Sequence, residues 1–143
     1  MKQITFASRN HQLTNINTWT PDSQWLVYDV RPSGASFTGE TIERVNVVTG
    51  GVEVIYRATD GAHVGVVTVH PAQEKYVFIH GPKVPDADWH YDLHHRQGVI
   101  AHHGQVSNLD AMDNTTPFTP GALRGRSHVH VFSPNGQLVS FTY

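Results

Sequence analysis

The sequence predicts an all-β chain, and two features carry the prediction. The first is punctuation: 12 glycines and 8 prolines divide the 143 residues into short runs of β-branched and aromatic side chains, with no stretch of helical apolar period. The second is a phrase met three times, at Trp19-Thr20-Pro21-Asp22, Val69-His70-Pro71-Ala72 and Phe132-Ser133-Pro134-Asn135. Each copy is an apolar residue, a small or polar one, a proline opening a polar turn, and then an alternating apolar strand. The prolines lie 50 and 63 positions apart, which leaves room for about four short strands per unit.

Taken in order, the first unit has an inner strand over residues 12–19, the Pro21 turn, a second strand over 25–30, a Gly- and Ser-bearing loop over 31–41 and a third strand over 42–47. The Thr49-Gly50-Gly51 turn leads to a fourth strand over 52–57, glycine supplying the positive φ of a tight hairpin. The second unit has strands over 64–69 and 75–80, a Pro- and Asp-bearing loop over 81–88, a third strand that starts within 89–96 and ends near Ile100, and a fourth over 105–109 after His102-His103-Gly104. A linker over 110–125 carries Pro117, Pro120 and Gly121 to a third unit, of which two strands are present. Units of this length and pattern predict a partial β-propeller of about two four-stranded antiparallel blades plus an incomplete third. Blade one covers 11–58, blade two 63–110 and half of blade three 126–143. Residues 1–10 read as an orphan strand of a last blade that is missing, because 2–6 stands before the first unit as 52–57 stands before the second. A β-sandwich with regularly spaced short strands is the competing architecture.

Composition removes several function classes. A formal net charge of −2 with 15% charged residues supplies no basic field for nucleic acid. No apolar run approaches the roughly 20 residues that cross a bilayer, so no membrane association is expected. With no cysteine there is neither a disulfide framework nor a thiolate ligand or nucleophile. Residues 1–11 alternate polar and apolar side chains without the apolar core of a secretory leader, and a cytoplasmic protein is expected. No phosphate-binding glycine loop, serine-nucleophile elbow or zincin helix occurs. Histidine, 11 of 143 residues, is the compositional outlier.

The histidines supply the candidate chemistry. His128 and His130 are two apart on an inner strand, the spacing that turns two imidazoles toward one cation. Paired histidines hydrogen-bonded in a channel wall, without metal, are the plainer reading. In Trp89-His90-Tyr91-Asp92-Leu93-His94-His95, an extended chain puts His90, Asp92 and His94 on one face, a donor set for Zn or Mn; solvated loop histidines are the alternative. His102 and His103 are adjacent, so a strand would send them to opposite sides. Arg124 and Arg126 alternate with His128 and His130 and are candidates to bind a carboxylate ligand, or else to pair with Asp110 or Asp113. Asp22, Asp29 and Glu43 have no visible catalytic partner, and Asp22 reads as the cap of its turn. Trp19, Trp25, Tyr28, Tyr76 and Phe78 read as core between blades.

With Ser133-Pro134-Asn135-Gly136 and Pro21-Asp22-Ser23 before apolar strands, and a Thr-Gly turn at Thr49-Gly50, the units resemble those of TolB-like β-propellers over essentially the whole chain. Members of that family continue for several blades past a segment like 138–143. The resemblance therefore implies an N-terminal fragment of a propeller of uncharacterised function, without independent catalytic activity. The run Ser127-His128-Val129-His130-Val131-Phe132-Ser133-Pro134 also resembles oligogalacturonate lyases, in which inner-strand histidines hold a divalent metal beside a sugar acid. Carried over residue by residue, only His128 and His130 match; the remaining ligands would lie in blades this chain lacks or on a different residue such as His63 or His11, and Mn or Zn is the implied cofactor. A metal-dependent sugar-acid enzyme and a protein-interaction scaffold are the two alternative functions. An open propeller also exposes blade faces and edges, here Leu138, Val139, Phe141, Ile4 and Phe6, which predicts self-association, a dimer ahead of a trimer.

Overall fold

Ten strands and no helix make up the described residues of the computed structural model, which are all positions except 1, 15, 34–36, 110–112 and 114–115. The first sheet holds β1 (Asn10–Gln12), β2 (Trp25–Arg31), β3 (Thr41–Asn46) and β4 (Val52–Arg57) in that order. The second holds β5 (Val64–Val69), β6 (Lys75–His80), β7 (Gln97–His102) and β8 (Gln105–Asn108), again in chain order. A separate hairpin joins β9 (His128–Phe132) to β10 (Val139–Thr142). Every pair is antiparallel. The chain thus lays down meanders, which alternating strands joined by short turns produce.

The repeated phrase is a capped turn. Thr20 Oγ1 donates to Asp22 Oδ1 at 2.6 Å, and Asp22 accepts the Gln24 amide at 3.0 Å. Ser133 and Asn135 repeat the arrangement, with the Gln137 amide 3.1 Å from Asn135 Oδ1. In the middle copy Ala72 has no side-chain acceptor, and His70 takes over: its Nδ1 accepts the Ala72 amide at 3.0 Å. Different residues close the same turn, which is why the three copies share so few letters.

The two sheets pack face to face. Val27, Ile42 and Ala58 of the first meet Val64, Val67, Val69, Tyr76, Phe78, Val99 and Ala101 of the second, all buried. Phe78, Val67 and Val27 are wholly without solvent contact. Of the five aromatic residues expected in this core, Tyr76 and Phe78 lie in it. Trp25 sits at its rim beneath Arg44, whose guanidinium is 4.5 Å from the ring, and Trp19 is 51% exposed. Tyr28 follows Val27 and so points to the opposite face of the sheet. There it donates to Glu43 at 3.1 Å, and Arg9 clasps the same carboxylate through both terminal nitrogens at 2.9 and 2.7 Å.

The inner strands depart from expectation. Residues 2–7 form no strand: among the described residues no ladder partner lies beside them. β1 ends at Gln12, and pairing with β2 resumes only at the Trp19–Leu26 bridge. The intervening segment reaches the second sheet: Val69 donates to the Asn17 carbonyl at 2.7 Å and Thr14 Oγ1 to the Val67 carbonyl at 2.7 Å. The inner edges of the two sheets are therefore tied by hydrogen bonds, although they remain separate sheets. Asn17, Val66 and Val129 have positive φ of 52°, 59° and 53° and stand four, five and five positions before their turn prolines. Register breaks accompany two of them, between Gly65 and Thr68 and opposite Ser140 and Thr142, as at β-bulges. β7 extends to His102, so the hairpin loop is His103-Gly104 alone, with φ of 50° and 73°, a type I′ turn.

One histidine couples the sheets to pH. His80 is buried; its Nδ1–H donates to the Gly81 carbonyl, and its Nε2 accepts Tyr56 OH of β4 at 2.9 Å. Burial holds its pKa below the ordinary imidazole value, and nearby Lys83 adds to this. The unfolded chain therefore binds the proton first, so His80 favours folding above about pH 6.5 and opposes it as pH falls through that value. Urea unfolding at about pH 7.5 and about pH 5.5 should show the wild type losing more stability on acidification than His80→Gln; equal losses would remove His80 as the cause.

Candidate functional site

In a meander, alternate loops leave the same end of a sheet, so the β2–β3 and β6–β7 loops share one end with the connections into β5 and β9. The chemistry gathers there. Asp29, at the end of β2 and 1% exposed, accepts the Val66 amide of β5 at 3.1 Å and the Nε–H of Arg31. Gly65 allows this approach, since a Cβ there would lie 2.8 Å from Asp29 Oδ2 and 2.9 Å from the Phe37 ring. Phe37 stacks on Tyr91 with ring centroids 4.7 Å apart, and the Arg31 guanidinium lies 4.6 Å from the Phe37 centroid. His63 meets Tyr91 edge-on at 6.1 Å.

The electrostatics follow from this packing. Burial raises the pKa of Asp29 against the opposing pull of Arg31 and the amide hydrogen bonds. Burial also raises Tyr91, opposed by its hydrogen bond with Arg96. His128 is held below the ordinary imidazole value by burial and by the positive charges of Arg96 and Arg31, which places it on this same cluster. A buried carboxylate, two guanidiniums, a phenol and two imidazoles thus converge from three sheets. Such a group can hold a polar ligand. Its carboxylate is committed to internal bonds.

The paired histidines flank a kink. Val129 in the left-handed region interrupts the alternation between them. His130 is wholly buried, its ring 5.4 Å from Phe141 and so near β7 that a Cβ on Gly98 would lie 2.3 Å from Nε2. Thr68 Oγ1 donates to the His130 carbonyl at 2.8 Å, tying β9 to β5. His63 Nδ1 is buried without a hydrogen-bond partner, and His11 packs edge-on to Tyr28, 4.7 Å away on the far face of the first sheet. Among the described residues no three His, Asp or Glu side chains are placed to hold a metal ion.

Three further expectations are corrected. The 89–95 segment is a series of bends rather than an extended run, and Asp92 turns its carboxylate to the amides of His94 and His95, the latter at 3.1 Å. His102 and His103 do not diverge: the left-handed His103 swings its ring to 3.9 Å from that of His102. Arg124 and Arg126 do not continue the alternation of β9, because Gly125 and Arg126 have φ of 118° and 76°. Arg124 instead lies 3.8 Å from the Phe118 centroid. Asp113 accepts from the Thr119 amide and hydroxyl at 3.1 and 2.7 Å, and Asp110 falls outside the described residues.

A second cleft of about 370 Å³ lies where the 89–95 loop meets residues 124–126, lined by Trp89, His94, His95, Arg124, Arg126 and Tyr143. Gly125 fixes this junction: a Cβ there would stand 1.9 Å from the His94 carbonyl oxygen. The proximity of the two arginines to the His94-His95 pair was not visible in the sequence, since about 30 residues of connection separate them. Phe37, Tyr91 and Arg96 likewise carried no motif; only the topology gathers them.

Comparison with known proteins gives a family and a relative. The family described as "Protein of unknown function (DUF3748)" matches residues 63–143. Over all 143 residues the chain is 80% identical to the uncharacterized protein YidR of Escherichia coli (strain K12), of which it spans 34%. It thus covers about a third of the length of that curated relative. No solved structure matches the chain.

Proposed function

The chain belongs to the DUF3748 family of proteins of unknown function, and from that premise we propose that it forms the opening blades of a TolB-like β-propeller, a binding scaffold without catalytic activity of its own. The observation that carries this reading is the repetition of one build: a four-stranded meander, a second packed on it through a shared core, and a hairpin opening a third with the same capped turn. The inner-strand kinks at Asn17, Val66 and Val129 repeat as well. Ligands of propellers sit where inner strands of many blades meet, and about two and a third blades do not enclose such a channel. The cluster of Asp29, Tyr91 and His128 is then one sector of a larger site. The alternative, a metal-dependent sugar-acid enzyme, would need ligands beyond His128 and His130, since no three metal-binding side chains come together among the described residues.

The reading has a solution consequence. Phe6 is 82% exposed, Leu138 72% and Phe141 38%, and β10 has an unpaired edge among the described strands. Such surfaces favour association, with a twofold dimer the commonest closed form. Light scattering over a dilution series should show a dimer that dissociates on dilution; a monodisperse monomer at roughly tens of micromolar would contradict the open-ended reading. The propeller itself is tested by the structure of the full-length relative. Two further strands completing the β9–β10 sheet are expected, and a sheet that ends at β10 would refute it.

A further inference from the structure

We propose that the cleft between the β6–β7 loop and the segment entering β9 binds a small oxyanion carried on a flat apolar body, a phosphate or carboxylate attached to a ring. The inference does not depend on how many blades the full protein has. It rests on the side chains of the lining: two guanidiniums, two imidazoles, an indole and a phenol. The nearest acid is Asp92, and its Oδ1 accepts the backbone amides of His94 and His95, which leaves it 3.7 Å from His95 Nδ1. Among the described residues no salt bridge engages Arg124 or Arg126, and both side chains are exposed. Guanidiniums without an acidic partner that line one cleft are suited to oxyanions, because each offers parallel N–H donors in one plane.

The cleft is also built rather than accidental. Arg124 is held flat against Phe118 at 3.8 Å, and the His95 ring is stacked beside Trp89 at 3.9 Å. His95 Nδ1–H donates to the His90 carbonyl at 2.8 Å, which fixes the ring at the wall of the cleft. The close passage of Gly125 over the His94 carbonyl locks the two loops together. Trp89 on one side and Tyr143 on another give the ring of the ligand apolar faces to lie against. Charge at one end and aromatic walls at the other select the class of ligand.

The test is titration with phenyl phosphate, inorganic phosphate and benzoate, followed by the chemical shift of the Trp89 indole N–H. Phenyl phosphate should bind saturably, in about the millimolar range or tighter, and better than inorganic phosphate, which lacks the ring. Comparable binding of benzoate would assign the site to carboxylates, and a preference for phenyl phosphate to phosphates; both fall within the proposal. Arg124→Ala and Arg126→Ala should each weaken binding about tenfold or more, the usual worth of a lost charge-assisted hydrogen bond, while Arg57→Ala on the first sheet should leave it unchanged. Should an alanine variant lose dispersed resonances, the matching lysine variant keeps the charge without the paired donors and should weaken binding by a smaller factor. Absence of saturable binding by all three probes, or equal binding by the wild type and both arginine variants, would overturn the proposal.

Discussion

Replacing Arg9 by alanine should lower the unfolding free energy by about 3 kcal/mol, a large share of the 5–15 kcal/mol typical of a small domain. Glu43 is 1% exposed, and its carboxylate receives four donors: the two Arg9 nitrogens, Tyr28 OH, and Thr41 Oγ1 at 3.0 Å. Removing the arginine leaves a buried charge with two neutral donors. That is the costly way to break such a pair, because desolvation remains while the attraction goes. The Arg9 side chain is 41% exposed, so water can enter in its place and the loss stays near the lower end for buried pairs. Urea unfolding measures it. Adding Glu43→Gln to Arg9→Ala should restore part of the lost stability; if the double variant is less stable than Arg9→Ala alone, the clasp is not a charge pair of the kind described.

Phe78→Ala should be the most damaging single change, costing about 3–5 kcal/mol with a cavity left behind. Phe78 is wholly buried among residues of both sheets, with the Tyr56 ring of β4 5.2 Å away, so no nearby side chain on one sheet can close the gap without moving the other. Val54→Ala, on the outer strand at 49% exposure, should cost well under about 1 kcal/mol. The urea midpoint should fall sharply for the first and hardly at all for the second. Similar shifts for both would mean that the sheet-to-sheet contact does not hold the fold together.

The elements most legible in the sequence were those where local and tertiary demands agree. β4, β5 and β6 fall where the alternation placed them, because each is a clean β-branched or aromatic run between turn residues. The inner strand over 12–19 misled because the Thr14 hydroxyl and the Asn17 backbone carbonyl serve the neighbouring sheet rather than their own, which no alternation rule registers. The 2–6 segment has a strand's pattern, but a pattern needs a partner to become a strand. For the sites, the sequence singled out His128, His130, Arg124 and Arg126 by spacing. Spacing failed at Val129 and Arg126, whose positive φ values rotate the following residue off the expected face. Val66 and Arg9 reach Asp29 and Glu43 from 37 and 34 positions away, which no local spacing shows, whereas Arg31 and Thr41 stand only two residues off.

The kinks have a consequence for how the chain avoids folding wrongly. Successive units with the same turn geometry and similar strands invite mistaken partners, in which the first strand of one sheet zips along that of its neighbour into a single broad sheet. The edges already touch, through Asn17 and Val69. A left-handed residue bends each inner strand there, at a cost of about 1–3 kcal/mol for a β-branched residue such as Val66 or Val129, and a bent edge presents donors and acceptors out of phase with a straight one. Contact is thereby limited to a couple of bonds. The strain works as punctuation between copies, separating strands of like pattern that would otherwise run together, in this chain and between chains.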